Sequence, residues 1–144
     1  MNKLIQIVYV SSASKKFIKD YDDNIDDIIE TAKDSNLERN ITGLLVYRNG
    51  VFLQLLEGAP NDVYYTLGKI AADNRHGQIK TLLKQFTDKR LFANWSMALR
   101  KLSDDDSKLI ESIIPWREVE RLVQMQKTVP NEKIHKLIQH FAFN

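Results

Sequence analysis

The chain has 144 residues, the size of one ordinary domain, and a chain of that length buries roughly two-thirds of its unfolded surface on folding. Its 43% hydrophobic and 28% charged residues exclude disorder, and no uncharged run is long enough for a membrane span. With 21 basic and 19 acidic residues the net charge is +2, too small to hold a phosphate backbone non-specifically, so neither nucleic acid nor a membrane is an expected partner.

Lys3 and the apolar run to Val10 faintly resemble a secretory leader, but the run is short and contains Gln6 and Tyr9. Leu4 to Val10 reads instead as a first strand, with Ile5, Ile7 and Tyr9 on one face and Leu4, Gln6, Val8 and Val10 on the other. Ile25, Ile28, Ile29 and Ala32 then recur at helical spacing, and Asp22, Asp23 and Asn24 give that helix an acidic start suited to its dipole. Thr42 to Tyr47 and Val51 to Leu56 are strand-like runs around Arg48-Asn49-Gly50, where Asn-Gly supplies the positive φ of a tight hairpin. Pro60 opens a second helix whose stripe is Val63, Leu67, Ile70 and Ala71 and whose end falls between Asp73 and Gly77. Ile79 to Phe86 reads as a fourth strand and Trp95 to Leu102 as a fifth. Ser103 can cap a helix carrying Leu109, Ile110, Ile113 and Ile114 until Pro115, and a last stripe runs through Ile134, Leu137, Ile138 and Phe141.

That order is α+β: a ferredoxin-like βαββαβ sandwich with an extra fifth strand and C-terminal helices. Its two helices cover one sheet face. The C-terminal segments are expected to cover the other, which accounts for a third strand that is apolar at almost every position. Residues 1–102 form the main unit in this reading, and residues 103–144 are a helical cap within the same globule.

The absence of cysteine excludes disulfide frameworks, thiolate zinc sites and thiol nucleophiles, and fits a cytoplasmic location. No glycine-rich dinucleotide fingerprint or phosphate-binding Walker loop occurs. Asp20, Asp22, Asn24 and Asp26 imitate the start of a calcium loop, but Ile25 occupies the glycine position and Thr31 the final glutamate. His135 and His140 lack a third ligand in sequence, so no metal is expected. Gln54 is a lone amide in Val51-Phe52-Leu53-Gln54-Leu55-Leu56, and Tyr9 a lone phenol in its strand. Taken singly, each reads as a polar group satisfied inside the fold or by water.

Together these positions resemble a family. Ile7-Val8-Tyr9-Val10-Ser11, Asn36 ahead of Ile41-Thr42-Gly43-Leu44-Leu45, and Phe52-Leu53-Gln54-Leu55-Leu56-Glu57-Gly58 look like the BLUF domain, the sensor of blue light using FAD. Asp73-Asn74-Arg75-His76 and Arg90-Leu91-Phe92-Ala93-Asn94-Trp95-Ser96-Met97 stand where that family carries its Asp-x-Arg-His and Arg-x-Phe-x-x-Trp-Ser-Met patterns, so the resemblance covers residues 3 to 102 in register.

The resemblance implies a blue-light photoreceptor that binds FAD non-covalently between the two helices, with FMN or riboflavin able to substitute. Tyr9 would donate an electron and a proton, and Gln54 would bridge the Tyr9 hydroxyl to the flavin N5 and C4 carbonyl. Asn36 would bind the ring edge, Arg75 and His76 would flank the flavin farther away, and Trp95 and Met97 would relay or report the change. With no cysteine, none of this passes through a flavin–cysteine adduct. Ser35 stands where some members carry His or Asn, and Ala32 where many carry Ser. Residues 103–144 are too few for a fused cyclase or phosphodiesterase, so the chain is expected not to be an enzyme. It is expected to signal through an unidentified partner protein and to form a homo-oligomer. Two rivals share the strand order: an RNA-binding module would need exposed sheet aromatics with a basic, glycine-aromatic third strand, and an acylphosphatase-like enzyme would need an arginine-bearing anion loop where Ser11-Ser12-Ala13-Ser14 stands.

Overall fold

The computed structural model describes residues 3–19, 21–74, 76–124 and 129–143, and within these every side chain but those of residues 16, 21–23 and 76. The elements run β1 (Leu4–Ala13), α1 (Lys15–Lys19), α2 (Tyr21–Glu38), β2 (Thr42–Arg48), β3 (Val51–Gly58), α3 (Pro60–Ala72), β4 (His76–Thr87), β5 (Ala98–Lys101), α4 (Asp104–Ile110), α5 (Trp116–Leu122) and α6 (Asn131–Phe143). The sheet order is β4-β1-β3-β2-β5. Its first four strands pair antiparallel and β5 joins β2 in parallel, which is the ferredoxin-like core with one strand added at an edge.

The β2–β3 hairpin turns on Asn49 and Gly50 at φ of 51° and 77°, the left-handed pair that matches the twist of the flanking strands. Gly43 is required for a different reason: a Cβ there would lie 2.1 Å from the Leu55 carbonyl oxygen of β3. Side chains alternate across β1 and β3 and so build two cores. Ile5, Ile7, Tyr9, Phe52 and Leu56 pack with Ile25 and Ile29 of α2 and Val63 of α3. Val8, Val10, Leu53 and Leu55 pack on the opposite face with Ile110, Trp116, Val119, Ile134, Leu137, Ile138 and Phe141. Every residue of β3 is buried because this strand has a helical layer on both sides.

Several boundaries depart from the sequence expectation. β1 extends to Ala13 and β4 runs from His76 to Thr87, since each continues along its neighbour after its apolar run has ended. The fifth strand spans only Ala98–Lys101; Trp95, Ser96 and Met97 precede it in a loop held by the Asn36 and Gln54 side chains and one backbone bond from Gly43, not by a strand ladder. In α3, Ala71 is exposed and Thr66 holds the buried position of the stripe. The helix capped by Ser103 stops at Ile110, so Ile113 and Ile114 pack from the following turn, and Pro115 opens a further helix, α5, that the sequence reading did not anticipate. The Ser103 cap itself is present: its hydroxyl accepts the Asp106 N–H at 3.2 Å, and the Asp106 carboxylate accepts the Ser103 N–H at 3.1 Å.

Candidate functional site

Strand pairing brings Tyr9 and Gln54 together. They are directly opposed across β1 and β3, both point to the face covered by α2 and α3, and the Tyr9 hydroxyl donates to Gln54 Oε1. On the other side of Tyr9, the β1–β4 register slips between Val8 and Tyr9, a bulge that increases local twist beside the phenol. Tyr9 is 1% exposed. Burial raises its pKa well above the ordinary phenol value, and the carboxylate of Asp73 adds to the rise, so the group is a neutral proton donor at physiological pH.

The other end of the Gln54 amide is held less firmly. Nε2 approaches the Met97 sulfur at 3.8 Å, a weak acceptor for a good donor. Asn36, in the last turn of α2, is 1% exposed and donates from Nδ2 to the Ser96 carbonyl at 2.7 Å. Both side-chain amides therefore reach the segment that leads into β5.

Above Tyr9 and Gln54 a cavity of about 480 Å³ opens between α2 and α3. Its walls include Ile28, Ala32, Leu45, Phe52 and Ile70, with Asn36, Lys69 and Asp73 as polar neighbours. Two hydroxyls that line it, Ser11 Oγ and Thr66 Oγ1, are buried and make no hydrogen bond within the protein. An unpaired buried hydroxyl costs about 1 to 3 kcal/mol, so these two groups mark a cavity shaped for a ligand with polar atoms on its edges. Apolar walls with a few polar groups around a slot suit a planar heteroaromatic ring. The residues present fit a flavin. At the rim, Arg39 follows α2, lies 3.4 Å over the Tyr65 ring of α3 and pairs with Asp62 at 3.3 Å, linking the two helices.

Comparison with known proteins agrees with this geometry. The family model for sensors of blue-light using FAD matches residues 4–98. The chain belongs to the BLUF family. Photoactivated adenylate cyclase subunit beta of Euglena longa is 30% identical over 95 residues, covering 65% of this chain and 11% of that protein. The blue light- and temperature-regulated antirepressor BluF of Escherichia coli K12 is 32% identical over 75 residues, covering 52% of this chain and 19% of that protein. The chain thus spans no more than 19% of the length of these two relatives. Among solved structures, the photo-activated state of BlsA has a TM-score of 0.81 at 25% identity over 98% of this chain and 96% of that one. The dark state of BlrB, a BLUF protein, has a TM-score of 0.73 at 26% identity over 99% of this chain and 97% of that one. Both matches run through the C-terminal helices.

This BLUF domain belongs to a family of sensors of blue light using FAD, and its Tyr9–Gln54 hydrogen bond lies at the floor of the cavity. Of the residues singled out from sequence, Tyr9, Asn36 and Gln54 line the cavity. Met97 is buried against Gln54, whereas Trp95 is 53% exposed and does not line the cavity. Arg75 and the His76 side chain lie outside the described residues. Sequence reasoning passed over Ser11 and Thr66, whose only signal is a hydroxyl at a buried position of an otherwise apolar pattern.

Proposed function

We propose that the cavity between α2 and α3 holds FAD non-covalently, that Tyr9 is the electron and proton donor to it, and that Gln54 re-pairs in response. The observation carrying this reading is the asymmetric bonding of one amide: Gln54 accepts the Tyr9 hydroxyl with its oxygen and donates its nitrogen to a sulfur. A flavin, when bound and excited by blue light, supplies a one-electron oxidant and a proton acceptor. Tyr9 holds its proton between the Gln54 oxygen and the cavity, buried away from water that would compete for it. When that proton leaves, the phenol oxygen becomes an acceptor and faces another acceptor, so rotation or tautomerisation of Gln54 to present a donor relieves the clash. Nε2 resists little, because its bond to the Met97 sulfur is weak. Asn36 is placed to bind the ring edge while keeping hold of the Ser96 carbonyl.

In this reading residues 1–102 are the sensor and residues 103–144 cap the same globule, with a core continuous between them. The response leaves through Met97, β5 and the capping helices to a partner protein or a second copy, in a cytoplasmic setting. Among the described residues no helix is long and apolar enough to cross a membrane. FMN or riboflavin should also fill the ring site. The test is the absorption spectrum of purified, flavin-supplied protein before and after blue light, with chromatography of the released cofactor. Flavin bands, a small reversible red shift and released FAD are expected; folded protein that takes up no flavin would overturn the reading.

A further inference from the structure

β4 and β5 lie at opposite edges of the sheet, so the segment 88–97 must pass across the ends of β1, β3 and β2, four inter-strand steps or about 19 Å. Halfway across it meets a row of polar residues. Gln85, Gln6, Glu57 and Thr42 are successive cross-strand partners on β4, β1, β3 and β2. Gln85 donates to Gln6 Oε1 at 2.7 Å, Gln6 to Glu57 Oε1 at 2.9 Å, and Thr42 to Glu57 Oε2 at 2.8 Å. The Glu57 carboxylate, fully buried, completes its bonding from the crossing segment itself: the Leu91 N–H donates to Oε1 at 2.9 Å and the Phe92 N–H to Oε2 at 2.7 Å. Arg90 fastens the same point, donating to the Thr42 hydroxyl at 2.9 Å, the Glu57 carbonyl at 3.1 Å and the Asn40 carbonyl at 2.8 Å.

The far end of the segment is held by the photochemical site. The Gly43 N–H reaches the Trp95 carbonyl at 3.1 Å, Asn36 reaches the Ser96 carbonyl and Gln54 reaches the Met97 sulfur. The two anchorages differ in strength: a buried carboxylate with four donors at one, and at the other single bonds, the weakest of which, from Gln54 to the Met97 sulfur, a light reaction would re-pair. Phe92, beside the strong anchor, is part of the core shared with α4, α5 and α6.

We propose that Glu57 is a positioning residue of the light response: it fixes the middle of the 88–97 crossing, so that release of Met97 moves β5 and the capping helices and is not lost as slippage of the whole segment. The proposal rests on the photoreceptor reading for its light-dependent part alone. Each Glu57 oxygen accepts one backbone N–H of the crossing, so in Glu57→Gln the new NH2 faces a backbone donor whichever way the amide is turned.

Hydrogen exchange of flavin-loaded wild type and Glu57→Gln, in the dark and under blue light, tests it. The variant should keep flavin and its red shift, since Tyr9 and Gln54 lie on the opposite face of the sheet. Its dark exchange across 91–97 should rise about tenfold, and the light-minus-dark difference over 98–141 should fall to about a third or less of wild type. Thr42→Val, which removes one donor and keeps both backbone bonds, should move both readouts the same way by about threefold, and it carries the test if Glu57→Gln does not fold. A variant that melts earlier yet keeps wild-type dark exchange at 91–97 and the wild-type light-minus-dark difference would overturn the proposal. If wild type shows no red shift, the photoreceptor reading fails, whereas the dark exchange comparison still decides whether Glu57 clamps the crossing.

Discussion

The two faces of the central sheet are made from alternate residues of the same strands, yet one is covered by an apolar cluster and the other keeps a cavity. The capped face closes with aliphatic and aromatic side chains from α4, α5 and α6, and its buried carboxyl group, Glu57, has protein partners at both oxygens. The face under α2 and α3 keeps a cavity of about 480 Å³, two unpaired hydroxyls and an amide with a weak partner. A domain can leave polar groups incompletely bonded where a ligand will finish them, provided the other half of the molecule supplies the stability.

Substitutions on the two faces should therefore fail in different ways. The largest effect on signalling is expected from Tyr9→Phe: ring packing and flavin uptake persist, but the red shift is abolished, as difference spectra would show. Gln54→Leu should behave alike. A normal shift in Tyr9→Phe would break the contrast, because the open face would then not contain the chemistry. On the capped face, Leu137→Ala removes a fully buried side chain and should cost about 2 to 5 kcal/mol in denaturant unfolding while leaving the dark spectrum of bound flavin in place.

Smaller effects sharpen the difference. Thr66→Val removes an unpaired hydroxyl at nearly constant volume, so it should stabilise the flavin-free protein by about 1 kcal/mol and weaken riboflavin binding about fivefold, measured by fluorescence quenching. The smallest response is to pH. Tyr9 binds its proton more tightly folded than unfolded, so its contribution to stability is complete below the ordinary phenol value of 10.0 and is lost only as pH rises above it. The amplitude of the red shift should accordingly stay constant from about pH 6 to about pH 9; a decline centred within that range would mean that Tyr9 is not shielded by burial.

Where a local pattern has a single structural solution, the sequence is enough. Asn49-Gly50 needs a hairpin, the α2 and α6 stripes need a core beneath them, and Ser103 ahead of its apolar stripe needs a helix start; all of these are found. Tyr9, Asn36 and Gln54 stand out as polar residues that resemble a family motif, and they do converge on one cavity. The rest depends on partners distant in sequence. A four-residue β5 is defined by its pairing with β2, Met97 turns inward and Trp95 outward because Gln54 and Asn36 hold the segment between them, and Thr66 displaces Ala71 from the buried stripe once α3 settles over the cavity. Glu57 makes the point most sharply, since a carboxylate near the end of an apolar strand reads as exposed until tertiary folding brings four hydrogen-bond donors to it. Periodicity reports which face of an element is apolar; only the assembled fold decides which buried polar groups find protein partners and which are left for a ligand.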